Sequence, residues 1–476
     1  MIKLLKQNGI SGNLLSFFRS YLSNRKQCVV LNGFDSDKRE IKSGVPQGSV
    51  LGPLLFLIYI NDLERNIKSN INFFADDTML YSIVNDPLMS AHDLNHDLAL
   101  ISHWAYQWKM EFNPDPSKQA IEIIFSCKKT TTMHPPLLFN ERIVSKSTEH
   151  KHLGLTLQSN LCFDKHLNDK IIKAKKNINV LKNISPYLPI KALDQFYKAH
   201  IRSHLDYCDF IYHIPSSHHI LGLTLNSAMV NIEKVQYKAA LAITGTWQGT
   251  NRVKLYDELG WESLSDRRSF RRLLQLHKII DGKTPPFLRN ELPLPRRPFL
   301  PYVFRNIKIR SYRYANSFFP DAINFWNIII THFKQFPSYA IFRNHLLTLF
   351  RPKSKPIYGI HDPIGLHFLF QLRLGLSPLK YHKNRHNFAD TPTANCVCND
   401  GIEDVNHFLF HCSLFLDNRV AFLDVIENVM DVYNLELNQH LEVVCLYGHV
   451  LFSESDNKKI LLSTIKFLKD SKRFSS

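Results

Sequence analysis

Two adjacent carboxylates, Asp76 and Asp77, lie in a largely apolar stretch that covers residues 71–81. A charge in such surroundings is costly unless a partner neutralises it. Hard Mg²⁺ is a suitable partner, because it prefers carboxylate oxygen and can also bind an incoming phosphate. Adjacent aspartates also favour a tight turn between two strands. The sequence therefore predicts a β-hairpin that carries both carboxylates at its tip, although an ordinary hairpin with a polar tip explains Asp-Asp alone equally well.

A loop rich in glycine and proline precedes this stretch. Gly44, Pro46 and Gly48 punctuate the loop, and Gln47 and Ser49 offer hydrogen bonds. Glycine has no side chain, so the backbone can approach a ligand closely at these positions. The loop is therefore predicted to contact a bound ligand.

Together the two segments resemble the reverse transcriptase signature of non-LTR, jockey-like (LINE-type) retrotransposons. The resemblance implies RNA-directed DNA polymerase activity by two-metal nucleotidyl transfer. It also implies an RNA template, a DNA primer and deoxynucleoside triphosphates as partners, and Mg²⁺ ligands at Asp76 and Asp77. The implied nucleotide- and template-binding residues are Gly44, Pro46, Gln47, Gly48, Ser49, Phe74 and Ala75.

Two later segments carry the same resemblance. Residues 113–118 resemble an element whose lysine stands near the active site, so Lys118 is a candidate for protonating the departing pyrophosphate. A solvated lysine in a turn explains Lys118 nearly as well. Residues 152–157 resemble a primer-grip hairpin, in which Gly154 would let the backbone approach the primer strand.

Two basic segments follow. The chain turns helical and basic from Lys165, and next to a polymerase palm such a helix is suitably placed to bind duplex phosphates, although charge runs are usually solvated helix faces. The residues expected to do so are Lys173, Lys175 and Lys176. Beside Trp261, four arginines at helical spacing also suit phosphate, as an alternative to an ordinary surface helix. These are Arg267, Arg268, Arg271 and Arg272.

A cysteine- and histidine-rich group lies near the end of the chain. Cys396, Cys398, His407 and Cys412 supply three thiols and one imidazole, which is a suitable ligand set for tetrahedral Zn²⁺. The pattern also resembles retrotransposon C-termini, and His411 is an alternative ligand to His407. The other interpretation is a set of buried thiols in a helical domain.

Composition limits the class of protein. With 476 residues, 44% hydrophobic and 12% aromatic, the chain is expected to fold into more than one core. A formal charge of +17 favours nucleic acid as a partner over a membrane, although a generally basic soluble protein has the same surplus. Eight scattered cysteines and the absence of a signal-peptide pattern predict an intracellular protein, nuclear or cytoplasmic. The longest apolar run, residues 54–60, is too short to span a bilayer.

The expected fold is α+β, a partial reverse transcriptase palm (an antiparallel sheet with helices) followed by a helical thumb and a helical C-terminal domain. The predicted divisions are a palm over residues 1–164, a thumb and connection region over 165–350, and a C-terminal domain with the zinc site over 351–476. Within the palm, a helix over residues 88–112 is predicted to pack Trp104 and Trp108 on the sheet.

The resemblance also implies a third metal-binding carboxylate and triphosphate-binding fingers upstream of the segment that begins here. Asp35 and Asp37, in a predicted turn, do not replace that carboxylate convincingly. We therefore expect an N-terminally truncated polymerase that is inactive alone. The alternative is a non-catalytic, nucleic-acid-binding fragment of a retrotransposon protein, which could pair with other chains through an exposed edge of the palm.

Overall fold

The computed structural model describes residues 1–113, 120–126, 133–213, 227–297, 300–309, 312–333, 335–350, 355–357, 359–434 and 441–474. The chain forms two compact units, Met1–Cys162 and Phe163–Ser476. The boundary between them lies close to the predicted end of the palm at residue 164. The predicted boundary after residue 350 falls inside the second unit, so the division into three domains stays a prediction.

Four helices organise the first unit. Their bounds are α1 Ile2–Gln7, α2 Gly12–Leu22, α3 Leu51–Ile60 and α4 Pro87–Trp108. Helix α4 begins where Asp86 accepts a hydrogen bond from the Leu88 amide at 2.9 Å and proline occupies the first helical position. It ends at Lys109, whose φ of 55° is left-handed, and so it is shorter than the predicted helix over residues 88–112.

The strands of the first unit are short. They are β1 Lys26–Gln27, β2 Val30–Leu31, β3 Phe34–Asp35, β4 Arg39–Glu40, β5 Asn70–Phe74, β6 Asp77–Tyr81, β7 Ile121–Glu122, β8 Leu138–Phe139, β9 Arg142–Ile143, β10 Ser145–Lys146, β11 Glu149–His152 and β12 Leu155–Gln158. Within the described residues they form two-stranded pairs and no continuous sheet. The pairs are antiparallel except β7–β10, which is parallel. The α+β class is confirmed, with the sheet divided into separate ribbons.

The two tryptophans of α4 pack against α3 and the turn that follows it. Trp104 donates from Nε1 to Oδ1 of Asp62 at 2.8 Å, and the ring of Tyr59 contacts both indoles edge-on. The prediction that Trp104 and Trp108 pack on the palm sheet is therefore wrong, because the indole N–H finds its acceptor beside α3.

The second unit is mostly helical. Its helices are α5 Asp164–Ile184, α6 Ile190–Phe196, α7 Ser203–Asp206, α8 Asp209–Tyr212, α9 Ser227–Thr244, α10 Arg252–Leu259, α11 Leu264–Ile280, α12 Pro286–Asn290, α13 Tyr312–Ala315, α14 Phe318–Ile329, α15 Tyr339–Phe350, α16 Pro363–Arg373, α17 Lys380–Arg385, α18 Leu416–Val432, α19 Leu441–Tyr447 and α20 Glu454–Asp470. Tyr197–Arg202 and His407–His411 are π-helical turns, and Ile330–His332 and Ser413–Phe415 are 3₁₀ turns. The strands β13 Pro295–Arg297 and β14 Leu300–Phe304 form an antiparallel pair.

Buried polar contacts join the last part of the chain to the middle of the second unit. Gln371 donates from Nε2 to the carbonyl of Gly245 at 2.9 Å. The buried Arg373 guanidinium lies 3.3 Å from a carboxylate oxygen of the buried Glu258. In the described part of the chain no helix is both long and apolar enough to cross a membrane.

Candidate active site and metal centre

The predicted hairpin is present, with both carboxylates at its tip. Strands β5 and β6 pair from Asn70 with Tyr81 to Phe74 with Asp77, so Ala75 and Asp76 form the two-residue turn. Both aspartates are exposed, and Phe74 is 63% exposed. The carboxylates therefore project into solvent and are not buried in the apolar stretch.

Ala75 adopts an unusual backbone conformation at this tip. Its φ is 53°, whereas Asp76 has a negative φ, a pattern of signs that matches a type II′ hairpin turn. Glycine is the usual residue at this position, because a Cβ disfavours positive φ. The turn holds two adjacent carboxylates at a sharply defined place at a local conformational cost.

The loop over residues 43–49 is held by Arg25 and by its own side chains. The Arg25 guanidinium donates to the carbonyls of Ser43 and Gly44. The Ser49 hydroxyl donates to the Pro46 carbonyl at 2.8 Å and accepts from the Gly52 amide at 2.9 Å. Ser49 thus fixes the entry into α3, while its proposed contact with a nucleotide stays a prediction.

The rest of the loop is open at its two glycines. Gly44 and Gly48 have φ values of 77° and 76°, and neither has a heavy atom within 4 Å of the position where a Cβ would lie. Gln47 is exposed, and Pro46 is half-buried. A ligand can therefore approach the loop backbone at both glycines.

The described residues offer few further metal ligands near the two aspartates. Among the described residues, a cluster of three or more possible metal ligands does not form around Asp76 and Asp77. His150 on β11 is close enough to sense the negative charge of Asp77, although burial first and the neighbouring His152 second lower the His150 pKa. Gly154, with a φ of 77°, lies in the turn that joins β11 to β12. Lys118 lies outside the described residues.

The four predicted zinc ligands come together in the second unit. One ligand atom from each of Cys396, Cys398, His407 and Cys412 lies within 4.8 Å of all the others. The Sγ atoms of Cys396 and Cys412 are 3.6 Å apart, and Sγ of Cys398 is 3.2 Å from Nε2 of His407. A tetrahedral Zn²⁺ with bonds of ~2.3 Å to sulfur holds two sulfurs ~3.8 Å apart. The donor set and its spacing fit this ion after a small contraction.

The backbone explains this convergence. The Cys396 amide donates to the Gly401 carbonyl at 2.8 Å, which closes a tight turn that carries the first two cysteines. The Cys412 amide donates to the His407 carbonyl at 2.7 Å, so the π-helical turn brings His407 beside Cys412. His411 is exposed on that turn and does not join the cluster, so the structure favours His407 over the alternative ligand.

Burial sets the protonation of the thiols. It raises the pKa of Cys396 and raises the pKa of Cys412 to about 12. For Cys398 burial also raises the pKa, but the Asp400 amide and the neighbouring thiols outweigh it, so the pKa is lowered. A bound cation would therefore have to displace protons from the two buried thiols.

Comparison with known proteins finds a family similarity in the first part of the chain. Residues 6–157, which include the loop and the hairpin, match the family model described as reverse transcriptase (RNA-dependent DNA polymerase). Residues 6–157 are therefore similar to a reverse transcriptase domain.

The similar proteins come from fly transposons. A probable RNA-directed DNA polymerase from transposon X-element of Drosophila melanogaster is 28% identical over 52% of this chain and 27% of its own length. The corresponding protein of transposon BS is 25% identical over 56% of this chain and 30% of its own length. The RNA-directed DNA polymerase of the mobile element jockey is 28% identical over 32% of this chain and 17% of its own length. The chain thus spans less than a third of the length of each of these relatives.

Beyond the residues that match the family model, the basic helix α5 has the expected form. Its buried stripe includes Ile171 and Ala174 and packs on α9, whereas Lys173, Lys175 and Lys176 are exposed. Within the described part of the chain, none of these three lysines forms an ion pair. Their charge is therefore available to an external anion.

The prediction of a phosphate-binding face on α11 is wrong. Arg268 and Arg272 are only 3% and 1% exposed. Arg272 pairs with Asp321 at 2.6 Å and donates to three backbone carbonyls. Arg271 pairs with Asp209 at 2.8 Å. The carboxylates that pair with these arginines lie outside α11 in sequence, so spacing alone could not reveal the network.

Arg267 belongs to the same network of ion pairs. Its guanidinium binds Asp206 at 2.9 Å on one side and Glu262 at 2.8 Å on the other. These charges are neutralised within the protein, so the four arginines as a group give no reason to expect RNA binding.

Sequence reasoning missed two arginines that support the cysteine cluster. Arg419, 5% exposed, donates to the carbonyls of Leu409 at 2.8 Å and Cys412 at 2.6 Å. Arg473 forms a bidentate pair with the buried Glu403 at 2.7 and 2.9 Å. Neither arginine stands out in the sequence, because Arg419 lies in a helix that also carries acidic residues and Arg473 follows another basic residue, Lys472.

Proposed function

We propose that this chain contributes Asp76 and Asp77, two of the carboxylates that hold Mg²⁺, to RNA-templated DNA synthesis, and that it does not carry out this synthesis alone. The observation that carries the proposal is the hairpin tip. It presents two adjacent exposed carboxylates in a reverse transcriptase domain, after a loop with an accessible backbone. RNA template, DNA primer and deoxynucleoside triphosphates are the partners that this activity requires, and they imply action in the nucleus or the cytoplasm.

The residues suit the ion but form an incomplete set. Exposed carboxylate oxygens are the ligands that Mg²⁺ prefers, and the ion would neutralise charge on the triphosphate. Gly44, Pro46, Gln47 and Gly48 would contact nucleotide or template, together with Ser49, Phe74 and Ala75. Gly154 would lie against the primer. Lys118 is proposed to protonate pyrophosphate.

Binding of Mn²⁺, a paramagnetic substitute for Mg²⁺, tests the hairpin directly. The double variant D76N/D77N should lose Mn²⁺ binding measured by electron paramagnetic resonance, because amides lack the negative charge of carboxylates. Asp37→Asn, which removes an exposed aspartate from a loop of the same unit, is the matched control. Equal Mn²⁺ binding by both variants would contradict a metal site at this tip.

Primer extension on an RNA template tests the activity of the 476-residue chain. We expect no extension with Mg²⁺, because the described residues bring no third metal ligand to Asp76 and Asp77. Robust extension that Asp76→Ala abolishes would instead mean that another carboxylate completes the site.

A second function, binding of nucleic acid outside the palm, rests on the uncompensated lysines of α5. Lys173, Lys175 and Lys176 are exposed without ion pairs among the described residues, so phosphates can bind there and release counterions. The triple variant to glutamine should weaken binding of an RNA–DNA hybrid and lower its salt dependence. Lys458 and Lys466, both on α20, provide a matched double-glutamine control. Equal affinity and salt dependence in the two variants would contradict this role.

We further propose that the cysteine and histidine cluster holds one structural Zn²⁺. Three thiolates and one imidazole form a closed tetrahedral set, and such a set leaves no position for substrate. The ion would join the turn of Cys396 and Cys398 to the turn of His407 and Cys412. In this proposal residues 1–164 form the palm, 165–350 a thumb and connection region, and 351–476 a domain with a zinc site.

A further inference from the structure

An open cavity of about 230 Å³ lies in the second unit, apart from the residues assigned to polymerisation or to zinc. Three elements meet at it: the π-helical turn that ends at Arg202, helix α11 and helix α15. Arginines from all three line the cavity, namely Arg202, Arg267 and Arg343. The planar guanidinium group of arginine donates hydrogen bonds that match the oxygens of phosphate, and three such groups lie together at this cavity.

The three arginines differ in how their charge is compensated. Arg267 is fully engaged, since Asp206 binds two of its nitrogens and Glu262 binds the third. Arg202 is held less closely, with its Nε 3.7 Å from Oδ2 of Asp206. Arg343 is exposed and forms no ion pair within the described residues. Three guanidinium groups thus share two carboxylates, those of Asp206 and Glu262. The excess positive charge lies on the side of the cavity formed by Arg202 and Arg343.

Glu262, the partner of Arg267, also lines the cavity, and the other walls are apolar. Phe270 and Phe350 meet edge to face with ring centroids 6.2 Å apart, and Leu347 completes the lining. Leu347 lies one helical turn after Arg343, so α15 contributes both the charge and the apolar wall. Apolar walls reduce screening by water and strengthen a contact between guanidinium and an anion.

We propose that this cavity binds a phosphate group, with Arg343 and Arg202 as its ligands and Arg267 as the anchored residue that positions the site. Its volume is smaller than the ~300–1,000 Å³ of pockets for drug-sized ligands, so it suits one phosphate with its adjoining sugar. Two sources share this chemistry, a phosphodiester of an RNA strand and a free phosphate or phosphomonoester. The experiment below distinguishes them.

The experiment uses the full chain, two probes and a matched control. The probes are a 12-nucleotide RNA without terminal phosphates, followed over a range of salt concentrations, and inorganic phosphate, followed by equilibrium dialysis. Arg343→Gln is the test variant, since Arg343 is exposed and its loss should not unfold the chain. Arg305→Gln, at an exposed arginine of the same unit, is the control.

For a backbone phosphate, R343Q should weaken RNA binding by about tenfold and reduce the slope of log affinity against log salt by ~0.7, with no change in R305Q. For a free phosphate, R343Q should lose binding of inorganic phosphate while RNA affinity stays unchanged. R202Q should reproduce whichever effect is seen. If R343Q and R305Q behave alike with both probes, the cavity is not a phosphate site. Because the lysine variants of α5 are measured separately, such a failure would leave the proposed function untouched.

Discussion

Replacing Cys398 with serine is the most direct perturbation of the cysteine and histidine cluster. The side chain is only half-buried, yet its sulfur lies 3.2 Å from Nε2 of His407. The substitution therefore removes one ligand atom and little packing. Serine is a poor zinc ligand at neutral pH because its hydroxyl stays protonated.

The expected magnitude follows from the closed set of four ligands. Structural zinc sites of this kind bind with an apparent free energy of ~10–16 kcal/mol, so one ligand in four accounts for ~2.5–4 kcal/mol. A loss of that size lowers zinc affinity by ~10²–10³-fold. Protease cleavage between about residues 390 and 420 should increase as well, because the ligands come from two separate turns that the ion would join.

The assay compares zinc per chain by elemental analysis and zinc affinity by competition with a chromophoric chelator. Cys28→Ser, at another half-buried free cysteine, is the matched control. Wild type and C28S should retain one zinc per chain, and C398S should lose it to the chelator. Zinc absent from all three proteins, or equally retained by C398S, would refute the site and leave a group of packed thiols.

Burial of the cluster thiols and of the Arg272 guanidinium leads to two further predictions. Because burial raises the pKa of Cys396 and raises that of Cys412 to about 12, zinc must displace thiol protons. Zinc affinity should therefore rise from pH 6 to pH 8 with measurable proton release in weakly buffered solution, and affinity that is independent of pH would contradict this. Arg272→Met should lower the free energy of unfolding by ~3–5 kcal/mol, since it removes the buried ion pair with Asp321 and three hydrogen bonds to backbone carbonyls. Urea unfolding measures the loss, and an unchanged midpoint would show that the network contributes nothing.

Local patterns predicted what is encoded within a few residues. The hairpin at Asp76, the helix that carries Lys173 and the cluster around Cys396 each depend on short-range spacing and turn chemistry. In the cluster, the sequence left His407 and His411 as alternatives. In the structure His407 joins the cluster and His411 does not, because the hydrogen bonds of the π-helical turn bring His407 beside Cys412. Such a turn has no clear sequence signal.

Long-range partners explain the wrong predictions. Trp104 and Asp62 are 42 residues apart, so the indole contact that turns α4 towards α3 could not be read from helical periodicity. Arg272 and Asp321 are 49 residues apart. A basic stripe on a helix looks the same in sequence whether it faces phosphate or buried carboxylates, and only the distant partner distinguishes the two.

Because Asp76 and Asp77 are exposed, they do not need a cation in the way that their apolar sequence neighbours suggest. In sequence, an apolar neighbourhood suggested that Asp76 and Asp77 would need a cation to offset the cost of burial. The structure places both in solvent, and even the adjoining Phe74 is 63% exposed, so that cost is small. Two exposed carboxylates bind a divalent ion weakly, because water competes for the ion and no third ligand lies near them among the described residues. Strong metal binding at this tip would therefore need additional oxygens, such as the phosphates of a bound nucleotide, and metal and nucleotide binding would then be mutually dependent.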